Sequence, residues 1–225
     1  MGVAASQAVL IGMEQPATIS FTDNVKDDSS LTTYTFSTRA IGSAVVGRRV
    51  VVAVGSPANS SNRTISSVTC GGAGMTAIGS ITSGAGGGAF AEAQLFVLQV
   101  DTGTTATIAV TWSGAADRCS IGIWALYGLL SSTPTATLTS TANPQTGSLA
   151  VNAGGVALAA AFDFHTATAE SFTWSGLTEQ YDAQFATANL GYSGAHIASF
   201  TSQTLTVTAT PIAFSAGAMA AAAFR

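Results

Sequence analysis

The sequence predicts an all-β protein of two tandem seven-stranded antiparallel β-sandwich units, Ig-like or jelly-roll-like, related by internal duplication. Three observations predict it. Some segments alternate apolar and hydroxyl side chains with period two, others are short and continuously apolar, and the same order of strand-like segments recurs in both halves of the chain.

The alternation is clearest in 105–112, where Ala106, Ile108, Val110 and Trp112 alternate with Thr105, Thr107, Ala109 and Thr111. It returns in 204–209, where Leu205, Val207 and Ala209 alternate with Thr204, Thr206 and Thr208. Successive side chains of a strand point to opposite faces, so period two marks a half-buried strand, and β-branched Thr suits its outer face. The continuously apolar runs Val50–Val54, Leu95–Val97, Val156–Phe162 and Ala218–Phe224 suit strands covered on both sides. Ala220–Ala223 has helical propensity, but its flanking Gly217 and Phe224 and its place in the repeat argue for strand.

Taken in order, Ala17–Asn24 corresponds to Thr135–Thr141, Tyr34–Ser37 to Ser148–Asn152, and Gly47–Val54 to Gly154–Ala161. Ile65–Ile78 then corresponds to Ser171–Ala183, Glu92–Val100 to Gly191–Phe200, Thr104–Trp112 to Gln203–Ala209, and Cys119–Leu129 to Ser215–Arg225. The intervening stretches are too short for crossover helices, which makes the sheets antiparallel. Leu130–Pro134 carries the Ser, Thr and Pro of a connector, giving a first unit with an N-terminal extension over 1–130 and a second, Ala-rich unit over 131–225. The second unit trades Val, Ile and Trp for Ala. Small side chains let surfaces approach closely, so Ala159, Ala161 and Ala221 are the candidate face on which the units, or neighbouring chains, pack.

Composition narrows the function classes. The chain has 225 residues, 47% hydrophobic and only 8% charged, against roughly 25% charged in an average soluble domain. Its net charge is −4 and its single lysine is Lys26. Without a basic patch to face phosphates, a nucleic-acid partner is not expected. No apolar run approaches the ~20 residues of a membrane-spanning helix, and the first residues lack the basic stretch of a secretion signal. They do match a myristoylation pattern through Gly2 and Ser6, with no second lipid signal beside it. A thin charge layer gives little repulsion between copies, which favours a homo-oligomer.

Few residues point to chemistry. Asp23, Asp27 and Asp28 concentrate oxygen ligands of the kind Ca²⁺ takes, but without the spacing or turn glycine of an EF-hand, so they read first as a solvated turn. Gly84–Gly88 lacks the Gly-Lys-Ser/Thr ending of a phosphate loop and reads as a flexible connection between strands. His165 and His196 have neither a nucleophile elbow nor a zinc-ligand pattern around them. The eleven acids form no recognisable catalytic pair. The expectation is a non-enzymatic protein with no cofactor and no resident metal. Cys70 and Cys119 are two buried thiols or one bridge between strands. Among the aromatics, Trp112 lies on the apolar phase of its strand, and Trp124 fills space between sheets or between units. Trp174, with Tyr181 and Tyr192 downstream, is the candidate glycan contact.

The stretches Gly47–Gly55, Arg63–Ile78 and Cys119–Leu129 resemble small Gly/Ala/Thr-rich virion proteins of tailed bacteriophages and prophages. The resemblance covers most of the chain as a style and strand order and carries no catalytic residue. It implies a virion location, with capsid or tail proteins as partners and a decoration, head-fibre or tail-associated role. The alternative is a carbohydrate-binding module or phage adhesin that recognises a host surface glycan.

Overall fold

The computed structural model describes residues 15–165, 171–186 and 189–225, and it consists of antiparallel strands. Gly2 and Ser6 lie outside the described residues. The first nine strands are β1 (Thr18–Asp27), β2 (Leu31–Ala40), β3 (Arg49–Asn59), β4 (Ile65–Cys70), β5 (Ala73–Gly74), β6 (Thr76–Gly86), β7 (Ala89–Gln99), β8 (Thr105–Ala116) and β9 (Cys119–Tyr127). They form an inner sheet ordered β1-β9-β3-β7-β6 and an outer sheet ordered β2-β8-β4-β5. The next eight are β10 (Ala136–Ser140), β11 (Gln145–Val151), β12 (Gly155–Phe164), β13 (Phe172–Ser175), β14 (Thr178–Gln184), β15 (Leu190–Ser199), β16 (Gln203–Pro211) and β17 (Ala216–Phe224). They repeat the pattern as an inner sheet β10-β17-β12-β15-β14 and an outer sheet β11-β16-β13.

The two strand orders superimpose term by term, apart from the short β5. Each unit therefore has eight corresponding strands rather than seven. The extra strand comes from Ile65–Ile78, where Gly71 and Gly72 take φ values of 60° and 84° and turn the chain back on itself. Only glycine adopts that region at little steric cost. Gly176, at φ 80°, does the same in the second unit. Of the two architectures expected, the order is that of a jelly roll. In the first unit the stretch after the Gly-Gly turn begins on the outer sheet as β5 and moves to the inner sheet as β6.

The two inner sheets pack face to face, making four layers. β12 lies over β3 and β7, β17 over β7 and β6, and β15 over β1 and β3, so the lateral order of one sheet is reversed on the other. Gly55, late in β3, meets Phe162, late in β12. At the opposite end Ala17 N donates to Gly154 O at 2.8 Å. Equivalent strands thus run in the same sense, and the units are related by an approximate two-fold axis along the strands. The β1–β2, β3–β4, β6–β7 and β8–β9 connections gather at one end with their second-unit counterparts. The β2–β3, β7–β8, β11–β12 and β15–β16 connections and the 128–135 linker gather at the other.

Three cores result. One lies inside the first sandwich around Tyr34, Val52, Ile108, Trp112 and Ile121. One lies inside the second around Leu149, Val151, Phe172, Val207 and Met219. The third is the seam between the inner sheets, where Val51, Leu95, Val97 and Trp124 meet Leu158, Phe162, Tyr192 and Phe224. Covering the inner sheets on both sides explains the continuously apolar runs. Every residue of β17 is buried, as is every residue of β12 up to Asp163.

Candidate functional site

The seam depends on small residues placed opposite large ones. A Cβ at Gly55 would meet the Phe162 ring at 2.5 Å, and one at Gly194 would meet Trp124 at 2.9 Å. Gly122 makes the same kind of room for Tyr181. Gly84 and Gly86 let β6 run against the backbone of Gly217 and Ser215. The glycine-rich stretch expected as a flexible loop is thus the end of β6 and its turn into β7, held against the second unit. Aromatic rings close one side of the seam: Phe21 stacks on Tyr181 with centroids 5.1 Å apart and meets Trp124 edge-on at 5.8 Å. Trp124 also donates from Nε1 to His196 Nδ1 at 3.2 Å, joining β9 to β15. Burial lowers the pKa of His196 below its ordinary value, which keeps that nitrogen an acceptor.

A second polar arrangement sits at the end of the first sandwich. Glu92 is fully buried on β7. One carboxylate oxygen accepts from Asn59 Nδ2 at 2.7 Å and the other from the Arg63 backbone N–H at 2.9 Å. Asn59 Oδ1 in turn accepts from Asp117 N at 2.8 Å, and Asp117 accepts from Ser60 N at 2.8 Å. One carboxylate therefore ties the β3–β4 loop and the β8–β9 turn to β7. Burial pushes its pKa up to about 7, against the lowering effect of these donors and the Arg63 charge. At the opposite end the fully buried Arg48 donates to the carbonyls of Gly42, Ser43, Val100 and Thr102 at 2.7 to 2.9 Å, fastening two loops. Neither Glu92 nor Arg48 stands out in the sequence. The only signal was the rarity of charge, since a charge retained in an apolar strand is one with buried partners.

The sequence-derived candidates are placed as follows. Asp23 accepts from Ala40 N at 3.2 Å and lies 3.7 Å from Arg39. Asp27 accepts from Ser29 N at 2.8 Å. Asp28 pairs with Lys26 at 3.1 Å and accepts from Ala186 N at 2.9 Å. Among the described residues no three His, Cys, Asp or Glu side chains come together as a metal site. Trp174 is partly buried against the second sandwich's core and donates to Ser193 Oγ at 2.8 Å. Tyr181 and Tyr192 are buried in the seam, so these three aromatics form no exposed platform. Ala159, Ala161 and Ala221 line the interior of the second sandwich. The alanines that face the first unit are the other phase: Ala160, Ala216, Ala218, Ala220 and Ala222. Cys70 and Cys119 are free, buried thiols of one core. His165 is buried at the end of the second sandwich beside Asn189, whose amide donates to its carbonyl at 2.7 Å.

The outward faces of the block are hydroxyl-rich. Thr33 and Thr35 on β2 are exposed beside Thr111 on β8, with the Thr33 and Thr111 hydroxyls 3.3 Å apart. On the second unit Thr146 and Thr208 are bonded at 2.7 Å. The linker end carries exposed apolar side chains in Val45, Val46, Leu130 and Phe200, with Val46 86% and Phe200 79% accessible.

No family model, curated protein or solved structure matches the chain.

Proposed function

We propose that the chain is a non-enzymatic structural protein of a tailed-bacteriophage virion, a capsid decoration or tail-associated component acting through protein–protein packing. The observation that carries this reading is the seam. The chain commits the inner sheets of two complete sandwiches to each other and becomes one four-layer block. Burial on both sides of the inner sheets favours mechanical rigidity over the open, adaptable cleft of an enzyme. Two further features support an assembly role. The outer faces carry hydroxyls rather than charge, so copies or shell proteins can approach without electrostatic cost. The linker end offers exposed Val45, Val46 and Phe200 as apolar anchors for attachment. The ionisable groups fit the same reading: the buried Glu92 and Arg48 hold loops, and the half-buried His196 joins the two units.

Mass spectrometry of purified particles, followed by imaging with a labelled chain, tests the proposal. A fixed copy ratio to the major shell or tail protein is the expected result. A chain that is absent from particles and sediments as a monomer overturns it.

A further inference from the structure

The linker end contains a cleft of about 300 Å³ between the inner sheet of the first unit and the segment Ser132–Pro134. The register defines its floor. Arg49 on β3 lies opposite Gln99 on β7, and Thr76 on β6 lies opposite Val97. Directly opposed residues of antiparallel strands share a face. Val97 belongs to the seam core, so Thr76 and, one alternation on, Gln99 and Arg49 point the same way, under the linker.

Arg49 is the uncommitted charge of this region. Its neighbour Arg48 is saturated by four carbonyls. Arg49 donates only to Gly47 O, at 3.1 Å, and its Nε is buried without a hydrogen-bond partner. The ion pairs among the described residues are Lys26–Asp28 and Arg39–Asp23, neither of which involves it. The acid nearby, Asp101, is held first by Gln99 Nε2 and Gly47 N, at 2.9 Å each, with Arg49 a smaller influence. Arg49 Nη2 makes no hydrogen bond among the described residues, and the acceptor that a free guanidinium edge fits best is a planar carboxylate.

The rest of the lining narrows the ligand. The Gln99 amide nitrogen is spent on Asp101, which leaves its carbonyl oxygen as an acceptor. Ser132 and Thr133 bring hydroxyls on the roof, while Val97 and Pro134 are apolar walls. A carboxylate anchor, hydroxyl partners and one C–H face describe an acidic sugar, and the volume lies at the small end of ligand pockets, enough for about one ring. We infer that this cleft binds the carboxylate-bearing ring of a uronic-acid-type sugar, with Arg49 on the carboxylate and Gln99, Ser132 and Thr133 on the ring hydroxyls. The inference is independent of a virion location.

The test is titration of the intact chain with glucuronate, glucose, acetate and inorganic phosphate, followed by calorimetry and by amide chemical shifts. Glucuronate is expected to bind at least about tenfold more tightly than glucose, because a charge-assisted hydrogen bond is worth about ten- to a hundredfold in affinity, and more tightly than acetate or phosphate, which lack the ring hydroxyls that Gln99, Ser132 and Thr133 would take. Arg49→Gln should remove the preference over glucose. Ser132→Glu, on the exposed roof, should repel the carboxylate while leaving the thermal midpoint unchanged, which keeps the test decisive if the arginine variant misfolds. The inference is overturned if glucuronate produces no shifts at the lining residues, if acetate or phosphate binds as tightly, or if glucuronate binds Ser132→Glu as it binds the unaltered chain.

Discussion

Gly84→Ala tests the seam with a single methyl group. A Cβ at Gly84 falls on the carbonyl oxygen of Gly217, 3.0 Å from the carbonyl carbon and 3.2 Å from the backbone nitrogen. These are backbone atoms of β17, a strand buried along its whole length, so no rotamer change relieves the contact. Inserting a methyl group into a closely packed region costs about 1–3 kcal/mol. Restricting the unfolded chain by Gly→Ala returns about 0.4–1 kcal/mol. The matched control is Gly74→Ala on β5, where a Cβ meets nothing within 4 Å and no left-handed φ is involved. The entropy gain is common to both variants, so the difference between them isolates the clash at about 1–3 kcal/mol. For a chain of this size that corresponds to a midpoint about 2–4 °C lower per kcal/mol. Urea unfolding followed by tryptophan fluorescence, together with thermal scans, measures it. If Gly84→Ala matches Gly74→Ala in stability, β6 and β17 are not in contact and the four-layer block is wrong.

Three other outcomes follow from buried and half-buried titratable groups. Glu92 has its pKa raised from the ordinary 4.5 to about 7, so its stability contribution is full below about 4.5 and is lost as pH rises through about 7; Glu92→Gln should flatten stability against pH across that window, and an unchanged slope would count against it. His196 behaves in the opposite way. Burial lowers its pKa, so its contribution is present above its ordinary value of about 6.5 and is lost as pH falls through the lower folded value. Acidification should loosen the Trp124–His196 contact and lower the thermal midpoint less in His196→Gln than in the unaltered chain; an equal loss in both would refute this role. Cys70 and Cys119 are buried, and burial raises the pKa of both thiols. Neither should react with a thiol reagent until the protein is unfolded, and rapid labelling of the native chain would contradict the placement.

Strand positions were legible because burial leaves a strong mark on sequence. Each of the seven segments matched between the halves falls on strands that correspond in the two units. The strand hidden inside Ile65–Ile78 was marked by Gly71 and Gly72, whose positive φ makes the turn. Glycine, however, can signal either a turn or a close approach. Gly84 and Gly86 belong to the second kind, and only the partner strand β17 distinguishes them from loop glycines. Partnership was also invisible for the aromatics. Trp174 sits beside a glycine turn, as an exposed aromatic would, yet its indole N–H reaches Ser193 from another strand.

The phase of the alanines has a more general cause. In a half-buried strand, polarity tells the two faces apart. In β12 and β17 both faces are covered, the polarity signal vanishes, and one phase of alanine looks like the other. What remains is size. Along β12 the seam phase carries Val156, Leu158 and Phe162 with Ala160, while the inner phase carries Ala157, Ala159 and Ala161. Along β12 the larger side chains thus face the other unit and the small ones face the second unit's own outer sheet, whose Leu149, Val151 and Val207 fill that space, whereas along β17 the seam phase is Ala216, Ala218, Ala220 and Ala222 with Phe224, and Met219 turns inward. A strand that turns Val156, Leu158 and Phe162 away from its own sandwich draws much of its apolar burial from its neighbour. Alanine on both covered faces of β12 and β17 is therefore a mark of strands held between two cores, and here the second core is shared with the first half of the same chain.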